Sequence, residues 1–386
     1  MTRFCSIFSQ LLQLFPRTEF EHLVRTHRAE RHARGFRCLD QFVAMLFCQL
    51  GRAHSLREIC GGLASCEGKL QHLGAAAPNR STLAYANKHR PWELFESVFQ
   101  SLLAKCQEVA GPHKFRFKNK LLSLDATVID LCAEVFPWAT FRRRKGAVKL
   151  HLTLDHDGYL PTVLVMTEGK RHEVLVARQQ VFEPGTILVF DMGYVDFRWL
   201  RRLTEQGVFF VTRLKRNSVF EVVDRGQVPS RGHVVADEVI RMTGPLTSKK
   251  YPDTLRRIEV DLPGEDRSLV FLTNHMTFGP TTIAQIYKDR WQIELLFKVL
   301  KQYLRVKTFV GTSANALRIQ IWTALIALLV VKYLKLKATF GWSLANLIAL
   351  LRMNLFVYRD LWTWLNTPFT PPPLLDEPVQ TAFSFS

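Results

Sequence analysis

Leu121-Leu122-Ser123-Leu124-Asp125-Ala126-Thr127-Val128-Ile129 reads as a buried, apolar strand with a single carboxylate set into it. Val148-Lys149-Leu150-His151-Leu152-Thr153-Leu154 alternates apolar and polar residues, the pattern of a second strand. Asp157-Gly158 is a turn signal, and Tyr159 to Met166 returns as a third strand, completing a hairpin. Helix then alternates with strand. His172 to Val181 is helical, Thr186 to Phe190 is a short strand ending at Asp191, Phe197 to Glu205 is helical, and Val208 to Leu214 is a strand. A hairpin followed by strand and helix in alternation specifies an α/β sheet with helices packed on it.

Upstream, periodic apolar residues over 39–47, 55–59 and 92–99 mark an all-helical segment, residues 1–117. Ser55 with Glu58 three residues later has the form of a capping box. A polar, basic helix opens after Pro78-Asn79-Arg80-Ser81-Thr82, carries Arg80, Tyr85, Asn87, Lys88, His89 and Arg90, and is closed by Pro91. It suits the last helix of a helix-turn-helix that reads a DNA groove, and it equally suits a plain surface helix. Downstream, 215–274 shows short strands with Gly and Pro turns, a β-rich insertion. A long helix is expected over Thr282–Leu304, with apolar helices over 314–336 and 344–355. The core would thus comprise 118–214 and 275–360, followed by a Pro-rich, disordered tail over 361–386.

Lys plus Arg number 52 against 34 Asp plus Glu, a net charge of +18, so a polyanionic partner such as nucleic acid is favoured. The 47% hydrophobic content excludes a disordered chain. Seven cysteines without a Cys-x-x-Cys pair point to reduced thiols in a cytoplasmic protein rather than to a disulfide framework or zinc ribbon. The N-terminus lacks a basic-then-apolar signal pattern. The apolar run Ile319–Val331 is shorter than the roughly 20 residues of a membrane span, and is expected to be a buried core helix.

Asp125 and Asp191 sit where carboxylates of an open α/β sheet face the ligand crevice, although an Asp at a strand end also caps helices and tightens turns. In Tyr287–Lys301, a rotation of about 100° per residue puts Tyr287, Arg290, Glu294, Lys298 and Lys301 on one stripe. Ile293, Leu296, Val299 and Leu300 take the opposite face. An amphipathic surface with a Glu294–Lys298 pair would look the same. Taken together, however, Asp125, Asp191 and Glu294 form a hard-oxygen donor set suited to Mg²⁺, and the adjacent cations suit a phosphate backbone.

Tyr287, Arg290, Glu294 and Lys301 fall at Tyr-x2-Arg-x3-Glu-x6-Lys spacing, and Leu124-Asp125-Ala126-Thr127 and Phe190-Asp191-Met192-Gly193-Tyr194 surround the two aspartates. In these features the chain resembles DDE transposases of bacterial insertion sequences, specifically the insertion-sequence-four group, over roughly residues 121–309. The resemblance implies a ribonuclease-H-like core with the 215–274 segment inserted. It implies Asp125, Asp191 and Glu294 as catalytic metal ligands for Mg²⁺, with Mn²⁺ able to substitute. It further implies Tyr287, Arg290 and Lys301 as DNA contacts, with Lys298 added. The implied setting is a homodimer on DNA, engaging terminal inverted repeats and target DNA, at the nucleoid in a bacterial cytoplasm. In some relatives a flipped base stacks on an aromatic residue of the insertion during hairpin formation. No Trp lies between Trp199 and Trp291 to take that role.

The first reading is therefore a cut-and-paste transposase with metal-dependent cleavage and strand transfer. The alternative is a catalytically inactive or domesticated sequence-specific DNA-binding protein. A membrane-associated protein rests only on charge and the 319–331 run, and no membrane partner is expected. His172 at a helix start is expected to be structural. Arg142-Arg143-Arg144-Lys145 is expected in a loop between strands, solvated or touching phosphate.

Overall fold

Leu121–Cys132 is extended as the sequence predicts, and this strand (β1) organises the molecule. The computed structural model describes residues 5–31, 33, 35–66, 75–132, 140–142, 145–168, 172–262, 264, 267–303 and 310–370. Arg143, Arg144, Lys170, Arg171 and the Pro371–Pro373 run lie outside the described residues. Before β1 come α1 (Ile7–Leu12), α2 (Arg17–Thr26), α3 (Cys38–Leu50), α4 (Leu56–Ala64), α5 (Arg80–His89) and α6 (Glu93–Val109). After it come β2 (Thr140–Arg142), β3 (Lys145–Asp155), β4 (Leu160–Glu168), α7 (Glu173–Ala177), β5 (Ile187–Phe190), α8 (Phe197–Glu205) and β6 (Phe209–Arg213).

β3 lies antiparallel to β1 and to β4, while β5 runs parallel to β1 and β6 parallel to β5. The order β4-β3-β1-β5-β6, with three antiparallel strands followed by two parallel ones, is the ribonuclease-H-like arrangement. The hairpin turns at Asp157-Gly158, where Gly158 has φ +68° and a Cβ would come within 2.9 Å of Ala110. That combination of left-handed backbone and close approach requires glycine.

The β-rich segment consists of β7 (Phe220–Arg225), β8 (Val234–Met242), α9 (Thr247–Lys250), β9 (Thr254–Asp261) and β10 (Ser268–Thr273). It does not form a sheet of its own. β10 hydrogen-bonds antiparallel to β6, and β9, β8 and β7 continue outward, giving one ten-stranded sheet. The unpaired edge of β6 is thereby satisfied.

The chain ends in α10 (Pro280–Asp289), α11 (Trp291–Tyr303), α12 (Ala314–Lys337), α13 (Leu344–Asn354) and α14 (Leu361–Asn366). The single helix expected from Thr282 divides at Arg290. The disorder expected from residue 361 also needs correction. Asp360 caps α14 through Thr363 N–H, and Leu361, Trp364 and Leu365 are buried, so apolar spacing outweighed the following prolines.

α10 packs Ile283 and Ile286 against one sheet face, and α8 packs Trp199, Leu200 and Leu203 against the other. The N-terminal helices join α11–α14 in a third, larger core that also receives Ile129, Leu131 and Leu150 from β1 and β3. Its axis is α12, which is long and apolar enough to cross a membrane by length and composition, but 83% of its most apolar window is buried inside the protein. Each buried Leu or Ile there stabilises the fold by roughly 2 kcal/mol.

Candidate active site

The register of β1 on β5 sets the first part of the site. Leu124 pairs with Phe190, so Asp125 and Asp191 are the next residues on neighbouring parallel strands. β5 ends there. β1 instead continues to Cys132 against β3, so Asp125 lies within its strand rather than at a terminus. The Gly193 N–H donates to Asp191 Oδ1 at 2.6 Å, orienting that carboxylate at the turn Met192–Tyr194. A Cβ on Gly193 would lie 2.9 Å from the same oxygen, so the close approach depends on glycine.

The break between α10 and α11 supplies the rest. Arg290 Nη1 lies 3.4 Å from Asp125 Oδ2, and Nη2 donates to Glu294 Oε1 at 2.5 Å. Arg290, not Lys298, is thus the i, i+4 partner of Glu294. Its guanidinium also lies 5.5 Å from the Tyr287 ring centroid. Tyr287 is packed on Phe271 and does not line the cleft, so it supports Arg290 from behind. Lys298 and Lys301 do line it. A cavity of about 870 Å³ is walled by Asp125, Ala126, Thr127, Glu294, Phe297, Lys298 and Lys301, together with Arg52 from the α3–α4 turn.

Burial pushes the Asp125 carboxyl up to about 6; the Ala126 N–H and Arg290 oppose this, and the charges of Asp191 and Glu294 add to it. The Tyr194 hydroxyl, buried beside Glu173, Asp125 and Asp191, is raised by burial first and then by those carboxylates. Burial works against the Arg290 charge, but Tyr287, Glu294 and Asp125 more than offset it. The site therefore concentrates negative charge that a cation relieves, and its oxygen donors suit a hard divalent ion. Among the described residues no three His, Cys, Asp or Glu side chains close on one point as ready-made ligands do. Arg290 bridges Asp125 and Glu294 instead, and its Nε is buried without a hydrogen-bond partner.

A further set of residues behind the site was not singled out in the sequence. Asp289, next to Arg290, accepts from His156 Nδ1 at 2.9 Å, from the Tyr159 hydroxyl at 3.1 Å and from Lys114. Because a carboxylate only accepts, His156 Nδ1 carries a proton, and the ring's Nε2 lies 2.7 Å from Ser123 Oγ. Burial would raise the Asp289 carboxyl, but His156 and Lys114 outweigh it and hold it below its ordinary value. Residues 289 and 290 thus reach alternate residues of β1, Ser123 through His156 and Asp125 directly. The sequence signal was a polar Asp289 falling within an otherwise packed helix, which spacing alone does not distinguish from a solvated one.

The basic helix α5 divides between interior and surface. Asn87 is buried against Gln41, and Arg90 donates to Phe36 and Arg37 carbonyls, so neither is available for groove reading. Their short reach to the α3 start made them structural. Arg80, Tyr85 and Lys88 stay exposed.

Residues 116–330 match the family described as Transposase DDE domain, and residues 5–76 match one described as Domain of unknown function (DUF4372). The chain belongs to the DDE-domain transposases. A Sinorhizobium fredii protein named as a transposase, y4zB, is 33% identical over 70% of this chain and 76% of its own length. A Geobacillus stearothermophilus protein named for insertion sequence element IS5377 is 29% identical over 66% of this chain and 67% of its own. One from Synechocystis, named for insertion sequence element IS4SA, is 24% identical over 85% of this chain and 92% of its own. This DDE-domain transposase is therefore related to insertion-sequence-four-type enzymes, whose domain performs phosphoryl transfer on DNA and typically employs a divalent metal.

Proposed function

We propose that Asp125, Asp191 and Glu294 hold Mg²⁺, or Mn²⁺ in its place, and that the protein cleaves and rejoins DNA at terminal inverted repeats by cut-and-paste transposition. The observation that supports this reading is the placing of Asp125 and Glu294 on one lysine-lined cleft, with Asp191 outside its lining but beside Asp125 through the pairing of β1 with the end of β5. A pair of bound divalent ions would supply Lewis-acid stabilisation to the attacking and leaving oxygens of an in-line displacement at phosphorus.

The chain's own residues have distinct tasks. Lys298 and Lys301 draw the DNA backbone into the cleft, and Arg290 offers a planar pair of donors to a phosphate. In the absence of DNA, Arg290 neutralises Asp125 and Glu294 and must release them as ligands engage, and Tyr287 limits where it can turn. The 1–117 helices contribute DNA binding through the exposed face of α5, and the active species is a homodimer on DNA at the bacterial nucleoid.

The test is cleavage of the flanking terminal DNA by the full-length protein with Mg²⁺ or EDTA, alongside Asp125→Asn and Glu294→Gln. Metal-dependent nicking at the repeat end, abolished in both variants while EDTA-phase binding persists, is expected. Retarded DNA with no cleavage by the unaltered protein under either metal would leave a DNA-binding protein in place of the enzyme.

A further inference from the structure

Arg52 has a backbone conformation that its residue type disfavours. α3 ends at Leu50, the Gly51 N–H bonds Phe47 O at 2.8 Å, and the Ala53 N–H reaches back to Cys48 O at 3.0 Å. This six-residue closure places Arg52 at the left-handed position of the helix cap, with φ +60°. Glycine is the ordinary occupant there, because an L side chain crowds the backbone. The sequence instead has its glycine one residue earlier, at φ −78°, where a Cβ would meet the Phe47 ring at 2.9 Å. A non-glycine residue held at such a position is a pointer to function.

The side chain leads to the cleft. Among the described residues of the 1–117 segment, Arg52 alone lines the cavity, together with Asp125, Glu294, Lys298 and Lys301. Its Nε is buried without a hydrogen-bond partner, and among the described residues Arg52 enters no ion pair with either carboxylate. An arginine that shares a cavity wall with two lysines is suited to a planar anion with several oxygens.

We propose that Arg52 is a DNA-binding residue of the catalytic cleft, through which the N-terminal helical segment grips a backbone phosphate beside Asp125 and Glu294. This rests on the reading of the cleft as the DNA site. The left-handed turn puts Arg52 on the lining of the cavity that Lys298 and Lys301 of α11 also line, so that two elements can hold one phosphate. It also couples the packing of α3 to substrate placement, since the turn's hydrogen bonds are anchored on Phe47 and Cys48.

The experiment uses full-length protein in EDTA and a fluorescein-labelled duplex, both from the flanking terminal DNA and of random sequence, titrated by anisotropy across a salt series. Arg52→Gly, Arg52→Lys and Lys301→Ala are compared, with melting temperatures measured in parallel. Arg52→Gly removes the side chain and relieves the cap, so its melting temperature is expected to equal or exceed that of the unaltered protein. Its affinity is expected to fall about tenfold, the loss of one charge-assisted hydrogen bond. The slope of log K against log salt should shrink by about 0.9, and by the same amount on both duplexes, because phosphate carries no sequence information. Arg52→Lys should keep the slope.

A lower melting temperature with unchanged affinity would make Arg52 a structural residue and overturn the proposal. Unchanged binding by Arg52→Gly alongside weakened binding by Lys301→Ala would overturn it while leaving the cleft as the DNA site. Full affinity in both variants would remove the cleft reading itself, and the proposal with it.

Discussion

Replacing Asp289 with asparagine tests whether the buried network behind the site holds the α10–α11 junction. Asp289 is 3% exposed and accepts three hydrogen bonds. The Lys114 side chain is 59% exposed and recovers its hydration, so its partnership contributes little. The weight falls on His156, whose side chain is fully buried, and on Tyr159. A hydrogen bond to a charged group contributes about 1.5–3 kcal/mol, and a buried donor left without an acceptor costs about 1–3 kcal/mol. Asparagine can keep one oxygen where Oδ2 accepts from both His156 and Tyr159, but its NH₂ then faces Lys114, and the charge that strengthens those two bonds is gone. With about 1 kcal/mol of charge assistance lost from each of the two bonds, a loss of about 2 kcal/mol is expected. Equilibrium urea unfolding should show it as a lower midpoint with an unchanged slope. A double-mutant cycle with His156→Asn should give a coupling of about 1 kcal/mol. Because the junction carries Arg290 and Glu294, cleavage should also fall under conditions where the variant is fully folded. A destabilisation below about 1 kcal/mol, or strict additivity in the cycle, would refute the reasoning.

Two further outcomes concern the sheet extension. Arg256, 7% exposed, is bound by Asp237 at 2.7 and 2.6 Å and by the carbonyls of His275, Met276 and Phe278, so Asp237→Ala should destabilise by about 3–5 kcal/mol through an uncompensated buried charge. Thermal unfolding measures it, and a change under about 1 kcal/mol would mean that the carbonyls suffice. His275 is held neutral, lowered from 6.5 to about 4 by burial first and by Arg256 second. The unfolded chain then binds the proton more readily, so stability present above pH 6.5 is lost as pH falls toward about 4, by roughly 3 kcal/mol. Chemical denaturation at stepped pH should show this loss, absent in His275→Phe; identical pH profiles would rule out His275 as its source.

The order of elements was legible from period and punctuation. β1, the Asp157-Gly158 turn and α8 appear where alternation, turn residues and helical spacing placed them, because those signals act over a few neighbouring residues. The apolar run of α12 read correctly as interior, since its length and the apolar residues around it left it nowhere else to pack. Asp125 and Glu294 were visible as carboxylates in unusual settings, and the spacing from Tyr287 to Lys301 marked the second of them.

Only the tertiary structure decided what those residues touch. Asp125 is brought near Asp191 by a strand register that joins residues far apart in sequence, and Arg290 meets both Asp125 and Glu294 because α10 and α11 break at that residue. Arg52 could not be found by spacing at all. Its place in the cleft depends on how α3 packs against α12, and its backbone angle on a cap that propensity would have assigned to glycine. The 215–274 strands likewise read as a separate unit until pairing joined β10 to β6. Local physics selects the elements, whereas burial, register and long-range pairing select their neighbours, and the chemistry of this site lies among those neighbours.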